Sequence, residues 1–153
     1  GLIKIRYTAN DNMPLKEASG MKPSAQPNPV MNPEDMNAAF AEACNSGSIE
    51  RVLALYEPGA VLIQPNGNPL RGTGQIRIEL EDLLRQNGRM ESRNIHCIRF
   101  ENIALLRGHF VFRAQGPDGR PIQMESCTSE IVRRQPDGTW RYIVDHPFGG
   151  GQP

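Results

Sequence analysis

The spacing of apolar residues predicts three helices in the first half of the chain. Asn32 can cap a first helix that starts with Pro33 and ends at Gly47. Ser48 can cap a short second helix, and Thr73 starts a third. Apolar residues recur along these segments with the period of a helix that buries one face. The inward positions are Met36, Phe40, Ala43 and Cys44 in the first helix, Val52, Leu55 and Tyr56 in the second, and Ile76, Leu80, Leu83 and Leu84 in the third.

The pattern changes from helices to strands at residue 89. A short strand, AVLIQ, is already predicted at residues 60–64, and longer runs follow at 89–102, 103–115, 121–134 and 139–146. The turns PDGR and QPDG separate the last three runs, and a D-G turn between β-branched and aromatic residues is a good hairpin signal. Helices ahead of a four-stranded antiparallel meander predict an α+β fold in which the sheet curls round the helices.

The first 30 residues differ from the rest of the chain. LIKIRYT can add an edge strand, but the stretch after it has no periodicity and contains Pro14, Pro23, Pro27 and Pro29. The prolines and the missing periodicity predict that residues 1–30 are an extended arm. Because the chain starts with Gly, the alternative is a partly vector-derived linker. We expect one domain at residues 31–148 and a tail at 149–153.

Charge and cysteine content narrow the class of protein. Lys+Arg and Asp+Glu both number 17, and a net charge of zero argues against a non-specific nucleic-acid binder. Cys44, Cys97 and Cys127 are odd in number and lack a CxxC spacing, which favours reduced thiols in a cytoplasmic protein. There is no apolar run long enough for a membrane span. Since no metal-ligand or nucleotide-binding motif is present either, we expect no cofactor, no nucleic-acid partner and no membrane partner.

Three strings carry a resemblance to a known superfamily: NSGSIERVLALYEPGAVLIQPNGNPLRG, LLRGHFVF and RRQPDGTWRYIVDHPFG. Residues 33–148 resemble the superfamily named after nuclear transport factor two, in its SnoaL-like polyketide cyclase and ketosteroid isomerase branch. The resemblance implies a cone-shaped α+β barrel, with three N-terminal helices on a strongly curved, mostly antiparallel sheet. It also implies a pocket between the helices and the concave face of the sheet.

The family's isomerase residues do not carry over to this chain. The position of the oxyanion-hole tyrosine falls on Phe40, that of the catalytic base on Gln64, and that of the protonated oxyanion-hole acid on Cys127. Phenylalanine cannot donate a hydrogen bond, glutamine cannot take a proton from carbon, and a thiol is a poor donor. Ketosteroid isomerisation is therefore not expected.

A different acid does carry over. Asp145 matches the last-strand aspartate that acts as acid or base in SnoaL-like cyclases and in limonene epoxide hydrolase. The epoxide hydrolase positions for arginine, its neighbouring aspartate and the water-holding asparagine fall on His109, Val111 and Gln64. The resemblance thus leaves an acid, a histidine and an amide, without the full hydrolase relay.

Strict alternation along the last strand places Arg141, Ile143 and Asp145 on one face and Trp140, Tyr142 and Val144 on the other. If Asp145 points into an apolar cavity, desolvation raises its pKa towards the range useful for proton transfer. We take His109, across the sheet, as its catalytic partner. The alternatives are that Asp145 only caps the strand end and that His109 is a hydrogen-bonded core or surface histidine.

Eight further residues are candidates for substrate contact. Several also have a plain structural interpretation, since Tyr56 can close the second helix and Cys127 can be a core thiol. The predicted substrate-binding residues are Gln64, Phe40, Tyr56, Cys127, His146, Ile143, Leu80 and Leu84.

Three hypotheses about function follow. The first is a cofactor-free isomerase, cyclase, dehydratase or hydrolase that acts on a small apolar substrate through Asp145 and His109. The second is a non-catalytic small-molecule binding protein of the same fold. The third is a dimerisation domain, and in either of the first two cases we also expect a homodimer through an outer sheet face formed by Trp140, Tyr142 and Val144.

Overall fold

The computed structural model describes residues 28–151, so residues 1–27 of the predicted arm and residues 152–153 of the predicted tail lie outside the described part. A 3-10 turn at Pro33–Asp35 leads into three helices, which are α1 (Met36–Asn45), α2 (Ile49–Leu53) and α3 (Gly72–Arg85). The strands are β1 (Tyr56–Ile63), β2 (Pro69–Arg71), β3 (Arg89–Phe100), β4 (Ile103–Gln115), β5 (Pro121–Cys127), β6 (Ser129–Arg134) and β7 (Trp140–His146).

The strands form one curved sheet in the order β2-β1-β7-β6-β4-β3, and β5 pairs with β4. Among the strands of residues 28–151, β1 and β7 pair in parallel and the other pairs are antiparallel. The sheet stays open, with α1 packed on β3 and α3 packed on β1. The predicted α+β fold, with helices on a curved and mostly antiparallel sheet, is confirmed.

Two predicted element boundaries were wrong. The run at 121–134 is two strands, because β4 pairs with β5 over one half of its length and with β6 over the other. The break falls at Thr128, whose N–H donates to the carbonyl of Gly108 over 2.9 Å. Tyr56, expected at the end of α2, instead starts β1 and pairs with Tyr142. Pairing with β7 therefore overrides the local helical pattern there.

A bulge in β7 overturns the predicted alternation of the last strand. On the neighbouring β6, Val132 pairs with Tyr142 and Ile131 pairs with Val144, so Ile143 is an extra residue. One inserted residue reverses which face the following side chains occupy. Tyr142 and Asp145 consequently both point inward. The predicted outer face was wrong, since Trp140 and Tyr142 are core residues with exposures of 5% and 2%.

The core lies between the helices and the inner face of the sheet. Its fully buried side chains include Met36 from α1, Ile76 from α3 and Leu106 from β4. Val30 also packs into this core, and its carbonyl accepts a hydrogen bond from the Trp140 N–H. Within residues 28–151, none of the helices has the length and apolar character needed to cross a membrane.

Candidate functional site

A cavity of about 300 Å³ opens between α1, α3 and the inner face of the sheet. Some of its lining residues are buried, namely Leu62, Leu80, Met90 and Phe110. Others on and just after α3 are half-buried or exposed, namely Glu79, Asp82 and Gln86, so we take the mouth to lie beside the second half of that helix. The walls are mainly apolar, as in most small-molecule sites, but polar groups converge at the base. The polar residues at the base are Asn37, Thr128, Glu130, Tyr142 and Asp145.

Two carboxyl groups meet at this base. Glu130 on β6 and Asp145 on β7 are direct cross-strand partners, and their exposures are only 3% and 5%. The Tyr56 hydroxyl donates a hydrogen bond to Oδ2 of Asp145, whereas Oε2 of Glu130 has no hydrogen-bond partner among the described residues. The two acids therefore have different surroundings although they are neighbours.

These surroundings separate the proton affinities of the two acids. Burial raises the pKa of Asp145 to about 6, and the hydrogen bond from Tyr56 opposes that rise. Burial, reinforced by the charge of Asp145, raises the pKa of Glu130 to about 8, while Thr128 and Asn37 act in the opposite direction. Like charges in a dry site resist joint ionisation. At neutral pH, Asp145 is therefore the carboxylate and Glu130 holds the proton.

Asn37 completes the base from the helix side. The Tyr142 hydroxyl donates to Oδ1 of Asn37 over 2.9 Å. The Nδ2 group lies near enough to Glu130 to oppose the rise in the pKa of that acid, but it makes no hydrogen bond of 3.5 Å or less among the described residues. Gly108 makes room for this amide, because a Cβ at that position would lie 2.3 Å from Nδ2. A buried donor without a partner is costly, and a ligand oxygen would satisfy it.

Aromatic rings hold the base rigid. The ring of Tyr142 packs against Tyr56 at a centroid distance of 5.2 Å and against the edge of Phe40 at 6.2 Å. Burial raises the pKa of both tyrosines well above the usual value, so both hydroxyls stay protonated and act as donors. Burial likewise raises the pKa of the Cys44 thiol to about 12, and it stays neutral.

The structure brings together some of the predicted site residues. Asp145, Phe40 and Leu80 line the cavity. Tyr56 and Gln64 do not line the cavity themselves but each contacts a residue that does. Tyr56 donates a hydrogen bond to Asp145, and Nε2 of Gln64 donates one to Glu79 over 3.1 Å. Leu84 instead borders a second, smaller cavity beside Cys44.

The expected pairing of His109 with Asp145 is not what the structure shows. The neighbours of His109 on β4, Gly108 and Phe110, are buried on the inner face, so alternation turns the imidazole to the outer face. There its Nε2 lies 2.8 Å from Oε1 of Glu125. Cys127, Ile143 and His146, predicted as substrate contacts, do not line the cavity either.

Two polar residues of the site, Glu130 and Asn37, were not predicted from the sequence. Glu130 alternates with the fully buried Val132, and Asn37 shares a helical face with Ala41 and Cys44. A polar residue within an apolar stripe was the available signal in both cases. Among the described residues, no group of three or more His, Cys, Asp or Glu side chains is placed to hold a metal ion.

Comparison with solved structures places the fold among known relatives. A candidate calcium/calmodulin-dependent protein kinase type II association domain from Thiobacillus denitrificans superposes with a TM-score of 0.63 at 21% identity, covering 78% of this chain and 96% of that one. A candidate dehydratase of the NTF2-like family from Streptomyces avermitilis gives 0.62 at 19% identity, covering 72% and 88%. A protein with a cystatin-like fold from Caulobacter vibrioides gives 0.61 at 21% identity, covering 72% and 82%.

Sequence comparison gives the family. No curated protein matches the chain at a significant level. Residues 37–143, which are more than half of the chain, match the family described as a SnoaL-like domain. The matched range includes Glu130 and ends two residues before Asp145. With the expected superfamily thus confirmed, the chain belongs to the SnoaL-like domain family.

Proposed function

We propose that the cavity is an active site in which a small, largely apolar carbonyl compound undergoes proton transfer without a cofactor. The observation that carries the proposal is the buried pair of Glu130 and Asp145, cross-strand neighbours with unequal proton affinities at the base of an apolar cavity. Pairs of titratable groups whose surroundings separate their pKa values are typical of acid–base sites.

Three polar groups at the base have a role in this reaction. The Asp145 carboxylate removes a proton from the carbon next to the substrate carbonyl. The electron pair of that C–H bond becomes a carbon–carbon double bond, and the π electron pair of the carbonyl moves onto its oxygen, which gives an enolate. The Nδ2 group of Asn37, unpartnered among the described residues, and the protonated carboxyl of Glu130 can donate hydrogen bonds to that oxygen. Donors placed in advance where charge develops lower the barrier.

Two outcomes of the enolate are open to this site. Where the substrate has a carbon–carbon double bond beside the carbon that loses the proton, the enolate is conjugated, and Asp145 can return the proton to the far carbon, which is an isomerisation. Alternatively, the enolate re-forms the carbonyl, its carbon–carbon electron pair forms a new double bond to the next carbon, and a hydroxyl group on that carbon leaves as water with a proton from Glu130, which is a dehydration. The proton held by Asp145 then passes to Glu130 and restores both acids. The structural neighbour from Streptomyces avermitilis is a candidate dehydratase, and we favour dehydration or isomerisation over epoxide hydrolysis because the hydrolase relay positions His109 and Val111 do not reach the cavity.

A non-catalytic binding pocket is the second candidate. One observation favours it: Phe40 lines the cavity at the position where the isomerase branch has a catalytic tyrosine, so that hydrogen-bond donor is missing. The same apolar walls would then hold a ligand that leaves unchanged.

We also propose that two copies of the chain associate through the outer face of β3 and β4. Ile98, Phe100 and Leu105 are exposed there, and Ile98 lies directly opposite Leu105 across the two strands. A contiguous exposed apolar patch is typical of an interaction surface. The structural neighbour from Thiobacillus denitrificans is a candidate association domain.

Hydrogen exchange at carbon tests the proposed chemistry without knowledge of the natural substrate. Small cyclic and aromatic ketones are incubated with the protein in deuterated buffer, and loss of the proton signals next to the carbonyl is followed by NMR. We expect catalysed exchange, with a fall of about 100-fold or more in Asp145→Asn, since a positioned base typically contributes that much.

The control is Glu125→Gln, which removes an exposed carboxylate that contacts His109 outside the cavity. It should exchange like the unaltered protein. Exchange that persists undiminished in Asp145→Asn, with the melting temperature unchanged, would overturn the proposal. Ketones that raise the melting temperature but exchange no proton would favour the binding pocket.

A further inference from the structure

We propose that the substrate carries a positive charge, in the form of a protonated amine, at the end that faces the mouth of the cavity. This inference rests on the proposed function for the other end, where the carbonyl oxygen lies at the base. It adds the substrate's charge and orientation, which acid–base chemistry alone leaves open.

The side chains of the cavity that carry a charge at neutral pH are all negative. Among the described residues, those that line it are Glu79, Asp82 and Asp145, beside the protonated Glu130, and no lysine, arginine or histidine lines it. Cavity walls of low dielectric strengthen the field of such groups and raise the local concentration of the opposite charge. A substrate carboxylate, phosphate or sulfate would meet repulsion from the mouth to the base.

The mouth supplies the contact for a cation. Glu79 and Asp82 are three residues apart on α3, which places them on one face of the helix beside the opening. Asp82 is exposed and forms an ion pair with Arg85, so it contributes less than Glu79 to the attraction of a ligand cation. Glu79 accepts a hydrogen bond from the Gln64 amide, and no cationic side chain among residues 28–151 forms an ion pair with it.

The base fixes the orientation. Asn37 lines the cavity although the residue is only 3% exposed, and its Nδ2 donor makes no hydrogen bond of 3.5 Å or less among the described residues. Such a donor needs an acceptor on the ligand. An ammonium group offers only donors, so it cannot satisfy Asn37, whereas a carbonyl oxygen can. The oxygen therefore belongs at the base and the amine at the mouth.

Aromatic rings line the path between the two ends. Phe40 and Phe110 wall the deep part, and Phe148 packs edge-on against Phe110 at a centroid distance of 5.9 Å. Phe148 is half-buried and also lines the cavity. The face of an aromatic ring attracts a cation as well as an apolar body, so these walls suit a cationic substrate and add nothing for an anion.

A matched set of probes tests the charge preference by binding alone. Phenylpropylamine, phenylpropanol and phenylpropanoate share one apolar body and differ only in the terminal group. Each is titrated into the full chain at low ionic strength, and affinity is measured by ligand-induced thermal stabilisation and by calorimetry. We expect the amine to bind about tenfold more tightly than the alcohol, as charge-assisted contacts allow, and the acid to bind more weakly than the alcohol.

Variants of α3 locate the preference. In Glu79→Gln with Asp82→Asn, the amine should lose about threefold or more in affinity while the alcohol binds as before. Glu81→Gln is the matched control, because Glu81 lies on the same helix, pairs with Arg77 and does not line the cavity. It should leave all three affinities unchanged.

The outcomes separate this inference from the proposed function. Equal binding of the amine and the alcohol, tighter binding of the acid, or no stabilisation by any probe overturns the charged substrate. None of these binding results depends on turnover. The proposed acid–base function would therefore remain supported by Asp145-dependent ketone exchange even if the probes overturned the charged substrate. Conversely, an amine preference that disappears in the α3 double variant supports the inference even if no ketone exchanges its protons.

Discussion

Glu130 and Asp145 face each other directly across β6 and β7, and both carboxyl groups are buried at the base of the same cavity. Burial disfavours the charged form of each acid, and the charge of Asp145 further disfavours ionisation of Glu130. Placing two acids in a protein interior costs stability, and proteins accept such a cost mainly at functional sites. The pair therefore has consequences for both folding and reactivity.

The first prediction concerns stability against pH. The folded-state pKa values of about 6 for Asp145 and about 8 for Glu130 lie above the ordinary values of 3.8 and 4.5. A group with a raised folded pKa contributes its stability below the unfolded value and loses it as the pH rises through the folded value. The contribution of the pair is thus complete near pH 4 and falls between there and about pH 8.

The measurement compares the unaltered protein with Glu130→Gln by urea unfolding at several pH values. We expect Glu130→Gln to be the more stable of the two at about pH 8.5, by on the order of 1–3 kcal/mol, and the difference to shrink or reverse towards pH 5. Parallel stability curves for the two proteins would contradict a buried, raised Glu130. Subtracting the curves removes the contribution of all the surface groups that titrate alike in both.

The second prediction concerns Tyr56 as a positioning residue. Its hydroxyl donates to Asp145 and stabilises the carboxylate, so its removal in Tyr56→Phe should raise the pKa of Asp145 further. The rate of ketone exchange should show a bell-shaped dependence on pH. It should rise as Asp145 ionises and fall as Glu130 loses its proton. In Tyr56→Phe, the acidic limb should move up by about one to two pH units, because a hydrogen bond to a charged group is worth roughly 1.5–3 kcal/mol.

A purely structural role for Tyr56 would lower the melting temperature of Tyr56→Phe without moving that limb. Phenylalanine keeps the ring that packs on Tyr142, so the packing contribution is preserved. Glu130→Gln is the complementary variant: its amide still donates a hydrogen bond but cannot ionise, so the alkaline limb should disappear while the acidic limb stays.

The fold was predictable from sequence because its signals are local. The turns PDGR and QPDG, the change of period at residue 89 and the helical stripes of α1 and α3 each fix an element without knowledge of the others. The errors lie where the pairing with a neighbouring strand determines where an element begins or ends. The split at Thr128 exists because β4 pairs with β5 and then with β6, and no run of residues within 121–134 encodes that change of partner.

The site was only partly predictable for a related reason. Asp145 could be found because its distance from a D-G turn is fixed along one strand. Its partner Glu130 could not be found in this way. The bulge at Ile143 changes the face of the sheet on which the side chains after it lie, and Glu130 is brought opposite Asp145 by the register of the sheet and not by sequence spacing. His109 was placed by counting along β4, but the count gives a strand position and not the face that closes the cavity.

The third prediction concerns Gly108, which leaves room for the Asn37 amide. A Cβ there would lie 2.3 Å from Nδ2 of Asn37 and 2.8 Å from Oγ1 of Thr128, so Gly108→Ala must displace both side chains. We expect a loss of about 1–3 kcal/mol in unfolding free energy and slower ketone exchange. Gly74→Ala in α3 is the control, because a Cβ at Gly74 meets nothing within 4 Å, and it should stabilise by about 0.5–1 kcal/mol. Equal stability changes in the two variants would contradict the crowding.

The fourth prediction concerns self-association. The expected homodimer cannot use Trp140 and Tyr142, which are core residues, and we place it instead on the exposed patch of Ile98, Phe100 and Leu105. Phe100 is 72% exposed, and a charge at the centre of an apolar interface is strongly unfavourable. We expect the unaltered chain to sediment as a dimer at micromolar concentration, and Phe100→Glu to sediment as a monomer with a similar melting temperature.

The matched control is Ile78→Glu on α3, since Ile78 is 64% exposed but lies on the helix layer, away from β3 and β4. It should remain dimeric, and a monomer in the unaltered chain, or dissociation in both variants alike, would remove the patch as the interface.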